Sequence, residues 1–143
     1  MVYVCLLIQI HIPVYFNRVF PYERLRRLSD GASLIDRYFD EKFNLNSLIR
    51  LTKKCRPILT AISETIGSTK DSPNPFKLSL GITGLTLERL LRHDTSLTNL
   101  LQRIVSTGKV EILGTTYYHS LAGIYSEDSS EFTEQVLENQ RLI

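Results

Sequence analysis

The stretch Gly108–Leu121, GKVEILGTTYYHSL, carries a short apolar strand straight into a polar, aromatic loop that ends on a histidine. Gly108 closes the helix before it, Val110 to Leu113 read as the strand, and Tyr117, Tyr118 and His119 follow at its exit. The same arrangement opens the chain, where VYVCLLIQI (Val2–Ile10) runs into His11-Ile12-Pro13. Strand ends that present histidine and tyrosine are where barrel and open-sheet α/β proteins build their sites. Two such ends in one chain predict a shared mouth.

The segments between them set the order of elements. Val2–Ile10 is a near-continuous apolar run, which predicts a strand buried on both faces of a parallel sheet, and Pro13 stops its ladder. Residues 14–43 form a long irregular stretch with Gly31 and the acidic-aromatic pattern Asp36, Tyr38, Phe39, Asp40; long loops in compact domains are often functional. From Asn44 the period becomes helical, with Leu48, Leu51, Cys55, Ile58, Ile62 and Ile66 on one stripe. Pro57 is expected to open a second helix or kink the first, and Gly67 to close it before the turn-rich STKDSPNP. Lys77–Ile82 reads as a second strand, with Gly81 and Gly84 at its exit, and Thr86–Arg92 as a short helix. Asp94 caps a further helix through Leu97, Leu100, Leu101, Ile104 and Val105. After the third strand, Asp128 and Glu131 offer a capping box for a last helix carrying Phe132 and Val136. The resulting β–α–β–α–β–α order predicts parallel strands joined by crossover helices. Three strands do not close a barrel, so the sheet is either small and open or the first part of something larger.

Composition bounds the function. The chain has 143 residues, 43% hydrophobic and 22% charged, the profile of one soluble globular domain, or a piece of one, with a core to bury. Net charge is only +2. Its basic groups (Arg24, Arg26, Arg27; Lys53, Lys54, Arg56) lie in helical stretches beside acidic ones, a solvated face rather than a nucleic-acid stripe. Cys5 and Cys55 read as buried free thiols, and no CxxC pair suggests zinc or redox chemistry. The N-terminal apolar run lacks a basic n-region and contains Gln9 and His11, so a strand in a cytoplasmic protein is expected rather than a signal peptide. No run is long enough to span a membrane.

The residues that could carry chemistry gather at the two strand ends. His11 is either a histidine hydrogen-bonded at the sheet edge or a ligand contact, with Ile12-Pro13 turning the chain away and leaving the imidazole at the mouth. His119 occupies the equivalent place. Tyr117 and Tyr118 offer an apolar ring face and a hydroxyl, a combination suited to sugar rings, although one of the two is expected to be core. No third ligand has metal-like spacing to His11 and His119, and His93 reads as a helix C-terminal cap. No G-x-S-x-G elbow or phosphate-cradling Gly-rich loop is present, so neither metal nor cofactor is expected. Glycoside hydrolysis needs two carboxyl groups across the scissile bond. The few candidates are Glu111, inside strand three, and Asp36 and Asp40, in the long loop. Glu111 reads as a buried paired carboxylate or one reaching into a barrel interior, and none makes a convincing catalytic pair.

With those residues laid out, the chain resembles the N-terminal part of the glycoside hydrolase family 57 catalytic domain. His11-Ile12-Pro13 is similar to the family's His-Gln-Pro motif after strand one, DGASLIDRYFDEKFN (Asp30–Asn44) to the stretch that follows it, and GKVEILGTTYYHSL to the conserved region after strand three. The similarity runs through essentially the whole chain, in order, and the last segment is its most specific part. Two departures stand out: Ile12 replaces the usual glutamine, and Thr115 stands where an acidic residue is common.

The resemblance implies an α/β fold, residues 1–143 being the first three β-α units of an incomplete seven-stranded (β/α) barrel of the glycoside hydrolase/deacetylase type. It implies an α-glucan or oligosaccharide ligand, with His11, His119, Tyr118 and Tyr117 as substrate-binding residues and Glu111 and Pro13 in supporting positions. The family's nucleophilic glutamate and acid aspartate lie beyond the matched segments, so no residue here inherits either role. The expectation is therefore a truncated or split portion of an α-glucan-active enzyme, inactive alone. A non-catalytic carbohydrate-binding module and a decayed gene product stand beside it. An unpaired parallel edge further predicts self-association or a complementary barrel fragment as partner.

Overall fold

Three strands, β1 (Leu7–Ile10), β2 (Leu78–Ile82) and β3 (Val110–Leu113), pair in parallel in the order β1-β2-β3 in a computed structural model that describes residues 5–16, 38–120 and 129–143. Helix α1 (Glu41–Thr69) joins β1 to β2, helices α2 (Gly84–His93) and α3 (Thr95–Ser106) join β2 to β3, and α4 (Ser130–Gln140) follows. The alternating order thus gives the parallel sheet that it predicts, and the third strand falls on the expected residues.

The register brings Ile8, Leu80 and Ile112 into one row, and Ile10 and Ile82 into the next. This face is covered: Ile10, Leu78, Leu80, Ile82 and Val110 are buried in one core with Leu48, Leu59 and Ile62 of α1, Leu90 of α2, and Leu97 and Ile104 of α3. Truncating a side chain such as Leu59 to alanine there costs about 2–5 kcal/mol. The opposite face carries Leu7, Gln9 and Glu111 exposed, with small Ser79 and Gly81 between them. β1 is therefore not buried on both faces as its composition predicts. An apolar run states only what can be buried, whereas the cover is set by where the helices lie. Cys5 is correspondingly exposed, and Cys55 is half-buried, its thiol pKa raised by burial. Residues 2–4 of the predicted strand lie outside the described residues, as do Arg24, Arg26 and Arg27.

α1 runs unbroken through Pro57 and past Gly67. Pro57 removes one N–H bond on an exposed side of the helix, so water can satisfy the released carbonyl, and the core stripe on the other side holds both halves in line. That stripe uses Leu59, almost fully buried, instead of Ile58, which is 50% exposed. Both choices have helical spacing, and periodicity alone does not separate them. Asp40 caps α1 by accepting from the Phe43 amide at 2.9 Å. Asp94 caps α3 by accepting from the Leu97 amide, and its carboxylate also takes the Arg56 guanidinium at 2.9 and 3.0 Å. Arg56 is thus the polar bolt between α1 and α3.

α4 departs most from expectation. Its buried residues are Gln135 and Asn139, while Phe132 is 37% exposed and Val136 only half-buried. The surface it meets is loop backbone at a strand end, which calls for amides rather than apolar side chains. Its cap residue is Ser129, without a side-chain capping bond, and Asp128 of the predicted capping box lies outside the described residues. Among the described residues no helix is long and apolar enough to cross a membrane.

Candidate functional site

The parallel register places the carboxyl ends of β1 and β3 on the same edge, and the two histidines that follow them meet. Their rings stack, with centroids 4.5 Å apart and planes at 27°. The two strand ends that the sequence singles out thus lie side by side.

The first strand end is built by α2. Ile12 turns into the core, and its amide donates to Thr86 Oγ1 at 2.9 Å. Thr86 Oγ1 lies 2.8 Å from Thr83 Oγ1, which in turn lies 3.1 Å from His11 Nδ1. Thr83 occupies the cap position of α2 but makes no side-chain capping bond. Its hydroxyl is spent on the histidine. One proton order satisfies the whole chain: Ile12 N–H to Thr86, Thr86 O–H to Thr83, Thr83 O–H to His11 Nδ1. That order makes His11 a neutral imidazole with its proton on Nε2. Its pKa lies below the ordinary histidine value, first because burial disfavours the charged ring, and second because His119 lies against it. Pro13, next in the chain, is exposed and lines the adjoining cavity.

The third strand end is built by α4. Asn139 is fully buried, and its Nδ2 donates to Thr115 O and Thr115 Oγ1 at 3.0 Å each and to Ile82 O at 3.3 Å. The Tyr117 amide donates to Gln135 O, and the Tyr117 hydroxyl donates to the Glu88 carboxylate on α2. Burial and that carboxylate together raise the Tyr117 pKa, so the phenol stays protonated. The ring is packed so closely on Gly84 that a Cβ there would lie 2.3 Å from Tyr117 Cδ2. With both ends of the loop held, His119 adopts φ 59°, a left-handed backbone uncommon for a non-glycine residue. Gln9 Nε2, from β1, donates to its Nδ1 at 3.1 Å.

Beside the histidines lies a cavity of about 900 Å³. His11, Pro13 and Tyr118 line it, together with Phe16, Phe39 and Arg89. Phe16 and Phe39 stack on each other at 5.1 Å and pair as an isolated bridge, held by Asn44, whose side chain clasps both the Tyr15 N–H and C=O. The two tyrosines divide as sequence reasoning allows. Tyr118 is 61% exposed and meets the cavity, whereas Tyr117 is buried behind it and does not line it. Tyr117, expected as a contact residue, packs behind the loop, and His119 likewise is not among the residues that line the cavity. Glu111 is neither buried nor in the mouth: it is exposed on the open sheet face, where Ser79 Oγ donates to it at 3.4 Å. Both departures from the resembled motifs have local reasons. Ile12 fills the core, and the Thr115 hydroxyl donates to Ile82 O at 2.9 Å. Asp36 lies outside the described residues, and Asp40 serves as a helix cap.

Sequence reasoning missed Phe16 and Arg89, and singled out Phe39 only as part of an acidic-aromatic pattern. The aromatic pattern around residues 14–43 marks the stretch as functional without naming its walls. Arg89 shows no signal in sequence beyond its place on an amphipathic helix. His93, read as a helix cap, is in the last turn of α2 and also lines the cavity.

A protein of Methanocaldococcus jannaschii named "Putative alpha-amylase" is 32% identical over 108 residues, covering 75% of this chain. The chain spans about a fifth of that relative's length, 22%. No solved structure matches. The sequence pattern of Glycosyl hydrolase family 57 matches residues 5–143, both strand ends included, and the chain belongs to that family.

Proposed function

We propose that the two histidine-bearing strand ends form the sugar-binding mouth of an α-glucan-active glycoside hydrolase, within the first three β-α units of a seven-stranded barrel. The observation that carries this reading is the convergence of His11 and His119, 108 positions apart in sequence, beside a cavity walled by Phe16, Phe39 and Tyr118. Aromatic faces take the apolar face of a pyranose, and imidazole nitrogens exchange hydrogen bonds with its hydroxyls. The Nδ1 atoms of both rings are engaged by Thr83 and Gln9, which leaves their Nε2 atoms for a ligand.

The mouth binds without cleaving. Hydrolysis needs an acid and a nucleophile or base on either side of the bond. Among the described residues Glu41 is the one carboxylate lining the cavity. The match spans 22% of the relative's length, which leaves room for other segments of such a protein to carry those two groups. The exposed Leu7 on the β1 edge favours the same view, since further strands of a barrel would cover it.

Titration of the chain with maltooligosaccharides tests the reading. Binding that falls by about tenfold or more in His11→Ala and Tyr118→Ala is expected, with no cleavage by the chain alone. Undetectable binding, or binding unmoved by both substitutions, would refute the mouth. Cleavage of α-1,4-glucans by the chain alone would refute the division between binding and catalysis.

A further inference from the structure

Gln9 and His119 meet although the strands that lead to them are not neighbours. β2 stands between β1 and β3, so a side chain on β1 must cross it to reach the loop after β3. The crossing is open because Gln9 pairs in register with Gly81, which has no side chain to stand in the way. Gln9 leans over that bare position: a Cβ on Gly81 would lie 3.7 Å from Gln9 Cγ and 3.5 Å from Thr115 Cγ2. The amide nitrogen of Gln9 then reaches His119 Nδ1 at 3.1 Å.

This bond has a direction. An amide nitrogen only donates, so the Nδ1 atom it faces is the bare nitrogen, and the proton of the neutral His119 ring lies on Nε2. His11 reaches the same state through a different donor, the Thr83 hydroxyl at the end of its threonine relay. The two rings, stacked at 4.5 Å, thus carry their protons on the same atom. Both Nδ1 atoms are spent on the protein, and both Nε2 atoms are N–H donors.

We propose that Gln9 is a positioning residue of the mouth: by holding the His119 proton on Nε2, it makes the stacked histidines a double donor that takes sugar oxygens as acceptors. The proposal rests on the sugar-binding reading and narrows it. A hydroxyl can give or accept, so two donors fix each contacted hydroxyl as the acceptor. The same pair also takes the ring and glycosidic oxygens of a glucan, which have no proton to give.

Long-range proton–nitrogen NMR of the 143-residue chain at about pH 8.5, where both rings are neutral, reads the tautomers directly. Both rings should show the proton on Nε2. Gln9 is exposed, so its substitution leaves the core intact. In Gln9→Glu the carboxylate only accepts, and His119 alone should move its proton to Nδ1, while His11 stays as Thr83 holds it. Gln9→Lys restores a donor and should leave His119 as in the parent. Maltotriose affinity, measured by titration calorimetry, should fall about fivefold or more in Gln9→Glu and stay within about twofold of the parent in Gln9→Lys. The proposal is overturned by a parent His119 with its proton on Nδ1, by a tautomer that Gln9→Glu does not move, or by a moved tautomer with unchanged affinity. It is equally overturned by affinity lost to the same extent in Gln9→Lys. Those results leave the sugar mouth standing, whereas undetectable maltotriose binding by the parent refutes the mouth and the role of its donor pair together.

Discussion

The two strand ends reach the same mouth by different means. The end of β1 is anchored from below by hydroxyls: Thr83 and Thr86, on the first turn of α2 and its cap, hold the His11 ring and the Ile12 amide. The end of β3 is anchored from behind by amides and a phenol: Asn139, the Gln135 carbonyl, and Tyr117 on Glu88. The first end leaves its histidine half-buried on ordinary backbone. The second leaves its histidine exposed on left-handed backbone. Short hydroxyl contacts fix a ring at a strand terminus, whereas a loop that must stand out from the sheet needs a separate helix behind it.

The largest effect is expected where the two devices touch. Gly84 opens α2 between Thr83 and Thr86, and the Tyr117 ring lies across it. A Cβ there would also meet Tyr117 Cε2 at 2.8 Å and Asn139 Oδ1 at 2.9 Å. Neither neighbour can give way freely, since the ring is tied to Glu88 and the amide to three acceptors. Gly84→Ala should cost about 3 kcal/mol, read as a lowered thermal midpoint. It should displace the His119 resonances more than those of His11. Equal displacement of both would show that the ends are one unit.

A smaller and more selective effect is expected at Asn139. Replacement by alanine removes the donor from Thr115 O and Thr115 Oγ1, at a cost of about 2 kcal/mol, while Ile82 O keeps the Thr115 hydroxyl. Asn139→Asp should be worse than alanine at neutral pH, because a buried carboxylate would face two carbonyl oxygens. Its deficit should shrink in acid as the carboxyl gains a proton to donate. Denaturant titrations of both variants decide this, and an aspartate variant as stable as the alanine one at neutral pH would remove the amide from its role.

These two sites also mark the limit of what the sequence discloses. The parallel sheet, the third strand and the Asp94 cap follow from periodicity, capping residues and alternation, which are local signals. So does the meeting of the two strand ends, because parallel strands put like ends together. The α4 face does not follow, since Gln135 and Asn139 are polar and periodicity registers only apolar stripes. The exposed face of β1 does not follow either, because burial of a strand depends on the helices that cover it. Arg89 is the hardest to foresee. Its place on the cavity wall is set by how α2 packs, which its neighbours in sequence do not state.

The smallest expected effect concerns the first end alone. The folded pKa of His11 lies below the ordinary value of 6.5, with burial as the leading cause and His119 second. Between those two values the unfolded chain binds more protons than the folded one, so stability rises with pH across the window. The His11 contribution is therefore complete above about pH 6.5 and is lost as pH falls through the folded value. Thermal midpoints measured from about pH 7.5 down to about pH 5 should fall in the parent relative to His11→Gln, which has no ring to protonate. Parallel curves for the two would remove the depressed pKa from the account. His119→Gln sharpens the comparison: it should return the His11 NMR titration only part of the way to 6.5, because burial on Thr83 remains. A complete return would mean that the stacked histidine, rather than the anchored strand end, keeps His11 neutral.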